Sequence, residues 1–343
     1  MPAYCTESFV KLAIDSVMTQ TYPNIELIVI EDCSPDGTRA KIEESLEQHG
    51  GRFTLVRREK NSGLAAAYGD GAMMAKGEFI TQMDSDDLMP PASVADRVAY
   101  MQSRPDLQFI HTDFLMIDGA GKVLPDDGTF YPSPNNEANW CYQVQRDYRT
   151  LKPKDLFDFV LIHKHFIHLN TVMYRREVQA FWQTYDDKEV YYLDDYDFCL
   201  RSLLRHKWGH IGTISQHYRS HATNTNKRES FDDFFRRQTA QWIRVYEKLY
   251  DDILSLKDNP YAVQKKEVLL EHAYYFWLES GSMYEPLGRN AAMFGKRYGW
   301  QVRVRAFFKK ILGIDVKYIL RKKPEQLMQL FAWIACLPNE ISL

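Results

Sequence analysis

The chain has 343 residues, 45% of them hydrophobic, 14% aromatic and 26% charged, the make-up of a globular protein and not of a disordered or fibrous one. A formal net charge of -3 leaves no overall basic excess for nucleic acid, and Cys5, Cys33, Cys141, Cys199 and Cys336 lie too far apart to suggest a zinc site or a disulfide framework, which fits a reducing cytoplasm. No basic-then-apolar leader is read at the start, and the longest apolar run, residues 327–337, falls short of the roughly 20 residues that span a bilayer.

In chain order, Phe9, Val10, Ala13, Ile14, Val17 and Met18 repeat at helical spacing and predict a helix over residues 7–21 capped by Thr6. Residues 25–30 form a short apolar, β-branched run typical of a strand buried on both faces. A polar turn over 31–37, a helix over 38–49, a strand over 53–57, an Ala-rich helix over 64–75 and a strand over 78–83 follow. This alternation implies a doubly wound, mostly parallel α/β sheet, whose ligands gather beyond the carboxyl ends of the strands, near Asp32 and Asp84. A helix over 91–102, a strand over 108–116 and a hairpin turn at 118–121 are expected next. Residues 125–150, rich in Pro and Asn, read as a long surface loop that could serve as a lid. From Phe231 onward the pattern is helical, so the expected division is a catalytic domain over 1–230 and a helical region over 231–343.

The chemistry concentrates in Met83-Asp84-Ser85-Asp86-Asp87, directly after the third strand. Carboxylates and a nucleotide diphosphate repel one another, so such a cluster suits that ligand only with a hard divalent cation between them, Mn²⁺ or Mg²⁺. The competing reading is an acidic solvated loop.

Five segments, Pro2-Ala3-Tyr4, the stretch over 16–38, Asn61-Ser62-Gly63-Leu64-Ala65, Ala75-Lys76-Gly77-Glu78-Phe79-Ile80 and the aspartate cluster, occur in the order and spacing of family 2 glycosyltransferases. The chain resembles that family closely over residues 1 to about 90, weakly over 100–190, and not after about 230. The resemblance implies a GT-A fold, a nucleotide-sugar donor, a divalent metal and transfer with inversion. By position it implies that Pro2, Ala3, Tyr4, Asp32, Asn61, Gly63, Asp84 and Arg219 serve the donor, with Asp32 taking the base imide. Asp86, Asp84 and His221 would serve the metal. Asp194 and Asp195 match the family's second acidic motif, with Asp195 as the catalytic base; the competing reading is acidic residues complementing a helix dipole. His168 and Asn170 are candidates for hydrogen bonds to the acceptor sugar, while a metal role for His163 and His165 is not favoured.

Three departures stand out. The apolar strand that precedes Pro-Ala-Tyr in the family is missing here, and its absence is expected to leave neighbouring backbone unpaired and apolar surface bare. Cys5 stands where Asn is usual, and Tyr68-Gly69 replaces Arg-Asn, removing one positive contact to the donor. A catalytically silent sugar-nucleotide or glycan binding module is therefore the alternative to an enzyme. A nucleotidyltransferase on a similar sheet is not supported, because no Gly-rich, Lys/Arg-bearing phosphate loop follows the first strand. Ten Lys and Arg side chains within residues 296–323, against Asp315 alone, interleave with aromatic and aliphatic ones. They suit either an anionic membrane face, where a lipid-linked glycan acceptor would be presented, or a basic face packed on the catalytic domain. The expected location is the cytoplasm, at the inner surface of the membrane.

Overall fold

The computed structural model describes residues 1–125, 142, 145–149, 155–163, 167–185, 193–224 and 231–280. Chain contacts divide the molecule into Met1–Leu269 and Leu270–Leu343, beyond the boundary expected at 230/231. The basic stretch at 296–323 and the His163-Lys164-His165 side chains lie outside the described residues. Among those residues no helix is long and apolar enough to cross a membrane.

The first unit opens with the expected alternation: β1 (Pro2–Ala3), α1 (Val10–Met18), β2 (Ile28–Glu31), α2 (Thr38–Gln48), β3 (Thr54–Arg57), α3 (Leu64–Met74) and β4 (Phe79–Thr81). Helix α1 buries Val10, Ala13, Ile14 and Val17, the stripe its sequence spacing sets, and full burial of Ile14 is worth roughly 1.5–3 kcal/mol. It starts later than expected because Thr6 caps through its carbonyl, which accepts from the Phe9 and Val10 amides at 2.9 Å each. The Thr6 hydroxyl instead pairs with Ser85 Oγ at 3.0 Å, at the aspartate cluster.

Strands β1, β2 and β3 form a parallel sheet with Pro2 opposite Ile30 and Ile28 opposite Thr54. A second sheet runs in the order β4, β6 (Met173–Arg175), β5 (Phe109–Asp118), β7 (Trp208–Ser220). There β6 is antiparallel to both neighbours, and β5 and β7 are parallel. The α/β class holds, with one sheet parallel and the other mixed. Two register shifts beside Asp113 let β7 gain residues on β5, and this bulged strand carries Gln216 to Arg219 towards the end of β4.

Strands β2 and β4 belong to different sheets, and a cavity of about 510 Å³ is lined by Met1, Ile28, Phe79, Thr81 and Met173 among others. The Met1 amino group donates to Ile28 O at 2.9 Å, and burial pushes its pKa down to about 5.

Helix α4 (Ser93–Ser103) and the turn at 118–121 appear where expected; Asp118 N–H donates to Lys122 O and Gly121, at φ 86°, donates to Asp118 O. The described part of 125–150 is not an open loop: residues 145–149 are helical, and Tyr142 packs against β5, its hydroxyl accepting from Met116 N at 2.7 Å. Helices α5 (Leu156–His163), α6 (Asp194–Leu203), α7 (Phe231–Ser255) and α8 (Pro260–Ser280) follow, with 3₁₀ turns at Leu169–Thr171 and Arg176–Thr184.

Candidate active site

The segment after β4 is held by β7: Leu88 and His217 exchange backbone hydrogen bonds at 3.1 and 2.8 Å. That pairing sets Asp84, Asp86 and Asp87 where one oxygen from each lies within 4.8 Å of the others. Their surroundings assign them different tasks. Asp87 is fully buried; its Oδ1 accepts from Arg219 N at 2.7 Å and its Oδ2 from Asn170 Nδ2 at 2.7 Å and Gln216 Nε2 at 3.2 Å. It organises the site and has little left for a ligand. Asp84 accepts from the Tyr68 hydroxyl on one oxygen and from Asn170 Nδ2 at 2.7 Å on the other. Asp86 meets only His221 Nε2, 3.1 Å from its Oδ2, so among the described residues its Oδ1 is open.

Burial pushes the Asp84 carboxyl up to about 6, helped by the charge of Asp86 and opposed by Tyr68 and Asn170. Asp87 is raised for the same reason, with Asp86 and Asp84 adding to burial. A group of carboxylates whose ionised forms resist one another, with Asp86 Oδ1 open and each Asp84 oxygen accepting a single hydrogen bond, fits a hard divalent cation, which prefers oxygen ligands and relieves that repulsion.

A second acidic pair stands at the N-terminus of α6. Asp194 accepts from the Tyr185 hydroxyl. Asp195 is pushed up to about 7, chiefly by burial and then by the charge of Asp84, while the Leu169 amide hydrogen-bonds it and opposes the rise. Tyr68 sits between the two acidic groups, raised by burial and by the charges of Asp84 and Asp195. Its ring lies 5.8 Å from that of Trp182 and 6.0 Å from that of Tyr185. Tyr68, bonded to Asp84, and Tyr185, bonded to Asp194, thus link the aspartate cluster after β4 to the acidic pair of α6 through neighbouring rings.

The other expected site residues make the following contacts within the protein. Asp32, expected to take a base imide, accepts from Arg58 Nη1 at 3.0 Å, from the Ser62 amide at 3.0 and 3.1 Å and from the Gly63 amide at 3.0 Å. Those bonds fill its lone pairs, so it organises the 61–63 turn. Asn61 Oδ1 caps the same turn through Gly63 N at 3.1 Å, and Gly63 adopts φ 89°, ψ 164°, a conformation open essentially to glycine alone. Arg219, expected at the diphosphate, spends Nε on Asp86 O at 2.6 Å and Nη1 on Asp118 O and Gly119 O at 3.3 and 3.2 Å, over the Phe9 ring. It braces the cluster's backbone. Pro2 and Ala3 are buried in β1, whereas Tyr4 is 40% exposed. His168 stacks its ring 4.3 Å from Phe114 and 4.9 Å from Tyr218. Asn170 contacts carboxylates, which its sequence context did not indicate. Tyr68, read only as the replacement of an Arg, and Tyr185, which no motif carries, were missed as partners of the acidic residues.

An α/β domain with a carboxylate cluster at a strand end and a second acidic pair linked to it defines the GT-A class of fold. The family model for glycosyl transferase family 2 matches residues 1–182, and the chain belongs to that family. It is 32% identical over 168 residues to an Escherichia coli UDP-Glc:alpha-D-GlcNAc-diphosphoundecaprenol beta-1,3-glucosyltransferase, WfgD, covering 48% of this chain and 64% of that protein. The match thus spans less than two thirds of that relative. S. aureus TarS 1–349 in complex with UDP-GlcNAc superposes with a TM-score of 0.53 at 16% identity, over 80% of this chain and 71% of the other. A Pyrobaculum calidifontis mannosyltransferase, PcManGT, in complex with GDP-Man and Mn²⁺, superposes with a TM-score of 0.50 at 15% identity, over 90% and 82%. These likenesses share the fold.

Proposed function

We propose that the chain is an inverting, metal-dependent glycosyltransferase that moves a sugar from a UDP-sugar to a hydroxyl of a glycan or lipid-linked acceptor in surface polysaccharide biosynthesis. The observation that carries the reading is the Asp84, Asp86 and Asp87 cluster joined to the acidic pair of α6 through Tyr68 and Tyr185. Family membership supports glycosyl transfer, and the activity of the Escherichia coli relative supports a UDP donor and a lipid-linked acceptor. Asp84 and Asp86 would hold Mn²⁺ or Mg²⁺, with His221 steadying Asp86. The ion would stabilise charge on the departing diphosphate. Asp195 takes the proton of the acceptor hydroxyl as that oxygen attacks the anomeric carbon from the face opposite the diphosphate, which gives inversion. Pro2, Ala3, Tyr4, Asn61 and Gly63 would border the donor's base and ribose. The basic residues of 296–323 would hold the enzyme at the cytoplasmic face of an anionic membrane; vesicle binding that ignores anionic lipid and salt would remove that part.

The test is a thermal-shift and nucleotide-release panel of UDP-, GDP- and dTDP-sugars with and without Mn²⁺. UDP-sugars should stabilise the protein only with metal and release UDP slowly without acceptor. Neither binding nor release across the panel would remove the enzyme reading.

A further inference from the structure

Asn170 is buried, 3% exposed, on the short turn Leu169–Thr171. Its single amide nitrogen donates to Asp84 Oδ2 and to Asp87 Oδ2, each at 2.7 Å, and its Oδ1 lies 3.2 Å from the Tyr68 hydroxyl oxygen, whose hydrogen goes to Asp84. Both amide hydrogens are therefore in use within the protein. An NH₂ group with two hydrogens engaged at such distances holds two acceptor oxygens about 4–5 Å apart. Without it, two like charges at the end of one strand would separate. The turn is itself anchored: Thr171 Oγ1 donates to His168 O at 2.7 Å, and Thr112 Oγ1 of β5 donates to Thr171 O at 3.4 Å. Its first residue, Leu169, presents the amide that meets Asp195.

We infer that Asn170 is a positioning residue for the metal: its amide pins Asp84 beside Asp87, so that Asp84 and Asp86 together present carboxylate oxygens to one cation. The inference rests on the metal-dependent reading above. Asp87, saturated by Asn170, Gln216 and the Arg219 amide, is the fixed post; Asp84 is the ligand tied to it; Asp86 is steadied from the other side by His221.

The experiment is Mn²⁺ titration of the full chain, free ion read by electron paramagnetic resonance, in the absence of donor. Asn170→Leu keeps the approximate shape and removes both donors. It should weaken Mn²⁺ binding roughly tenfold or more, the usual range for residues that orient metal ligands. Tyr68→Phe, which spares the amide bridge, should lose less, roughly two- to fivefold. If Asn170→Leu does not fold, Asn170→Ser, whose one hydroxyl serves only one carboxylate, takes its place with an intermediate loss expected. A folded Asn170 variant that binds Mn²⁺ within about twofold of the native chain, whatever its melting temperature, overturns the assignment. A native chain that binds no Mn²⁺ removes the metal reading and this inference with it, a different result from equal binding by both.

Discussion

Asp195 has the environment of a base set for neutral pH. Burial and the nearby Asp84 charge carry its carboxyl up to about 7, and the Leu169 amide keeps it from rising further. A proton acceptor whose pKa lies near the working pH combines availability with driving force, and such groups contribute typically 10²–10⁴-fold. With Asp195 as the proposed base, Asp195→Asn should therefore cut kcat by about that factor while metal-dependent donor binding persists. In the native enzyme kcat/KM should fall as pH drops below about 7, because Asp195 becomes protonated there. If Asp194→Asn reproduces the loss and Asp195→Asn does not, the base is Asp194, and the Tyr185 contact becomes part of the proton path.

At the scale of elements, α6 delivers Asp194 and Asp195 and is held in place from its other side. Asp197, 1% exposed, meets Lys248 of α7 at 2.9 Å and Arg201 at 3.4 Å, and Asp252 of α7 takes Arg201 and Arg205 at 2.8 and 3.0 Å. Breaking a buried pair from one side leaves a charge without its partner, so Lys248→Met should destabilise the fold by about 3 kcal/mol. A fall in the denaturant midpoint at unchanged slope would register it; an unchanged midpoint would mean that Arg201 alone suffices. The elements differ in how far their sequences disclose them. Helix α1 and strand β2 were legible because each buries a face whose spacing repeats locally: Val10, Ala13, Ile14 and Val17 in one, and a continuous apolar run in the other. The Asp84 to Asp87 cluster was legible because like charges at a strand end demand an explanation on their own. Tyr68, Asn170 and Tyr185 were not, because their meaning comes from partners 16, 86 and 9 residues away. Asp32 and Arg219 carried the right motif, yet the lone pairs and N–H groups that mattered were claimed by the 61–63 turn and by the carbonyls of 86, 118 and 119. Residue type was visible; which bonds were already filled was not.

The molecule as a whole gives up stability to keep this site charged. Asp84, Asp87, Asp194 and Asp195 all have raised carboxyls, with burial the first cause in each. For such a group the folded state binds a proton that the unfolded state has released, so between the ordinary value of 3.8 and the raised one, stability falls as pH rises, and the loss persists above it. The window is 3.8 to about 6 for Asp84 and 3.8 to about 7 for Asp195. The Met1 amino group and His111, both lowered by burial, titrate in the opposite sense. Comparing native chain and variant at each pH cancels the His111 contribution, and that of Met1 except for the part that the Asp84 charge adds. Asp84→Asn should therefore melt higher than the native chain at pH 8 without metal, by roughly 2–4 °C for each kcal/mol recovered, and the gain should vanish as pH approaches 4. Saturating Mn²⁺ at pH 8 should reverse the order, because a cation at 100 times its dissociation constant stabilises the native chain by about 2.7 kcal/mol and the Asn variant has lost a ligand. A native chain that melts above Asp84→Asn at pH 8 in chelator would show that the aspartates are satisfied without a cation, and the electrostatic case for the metal would fail.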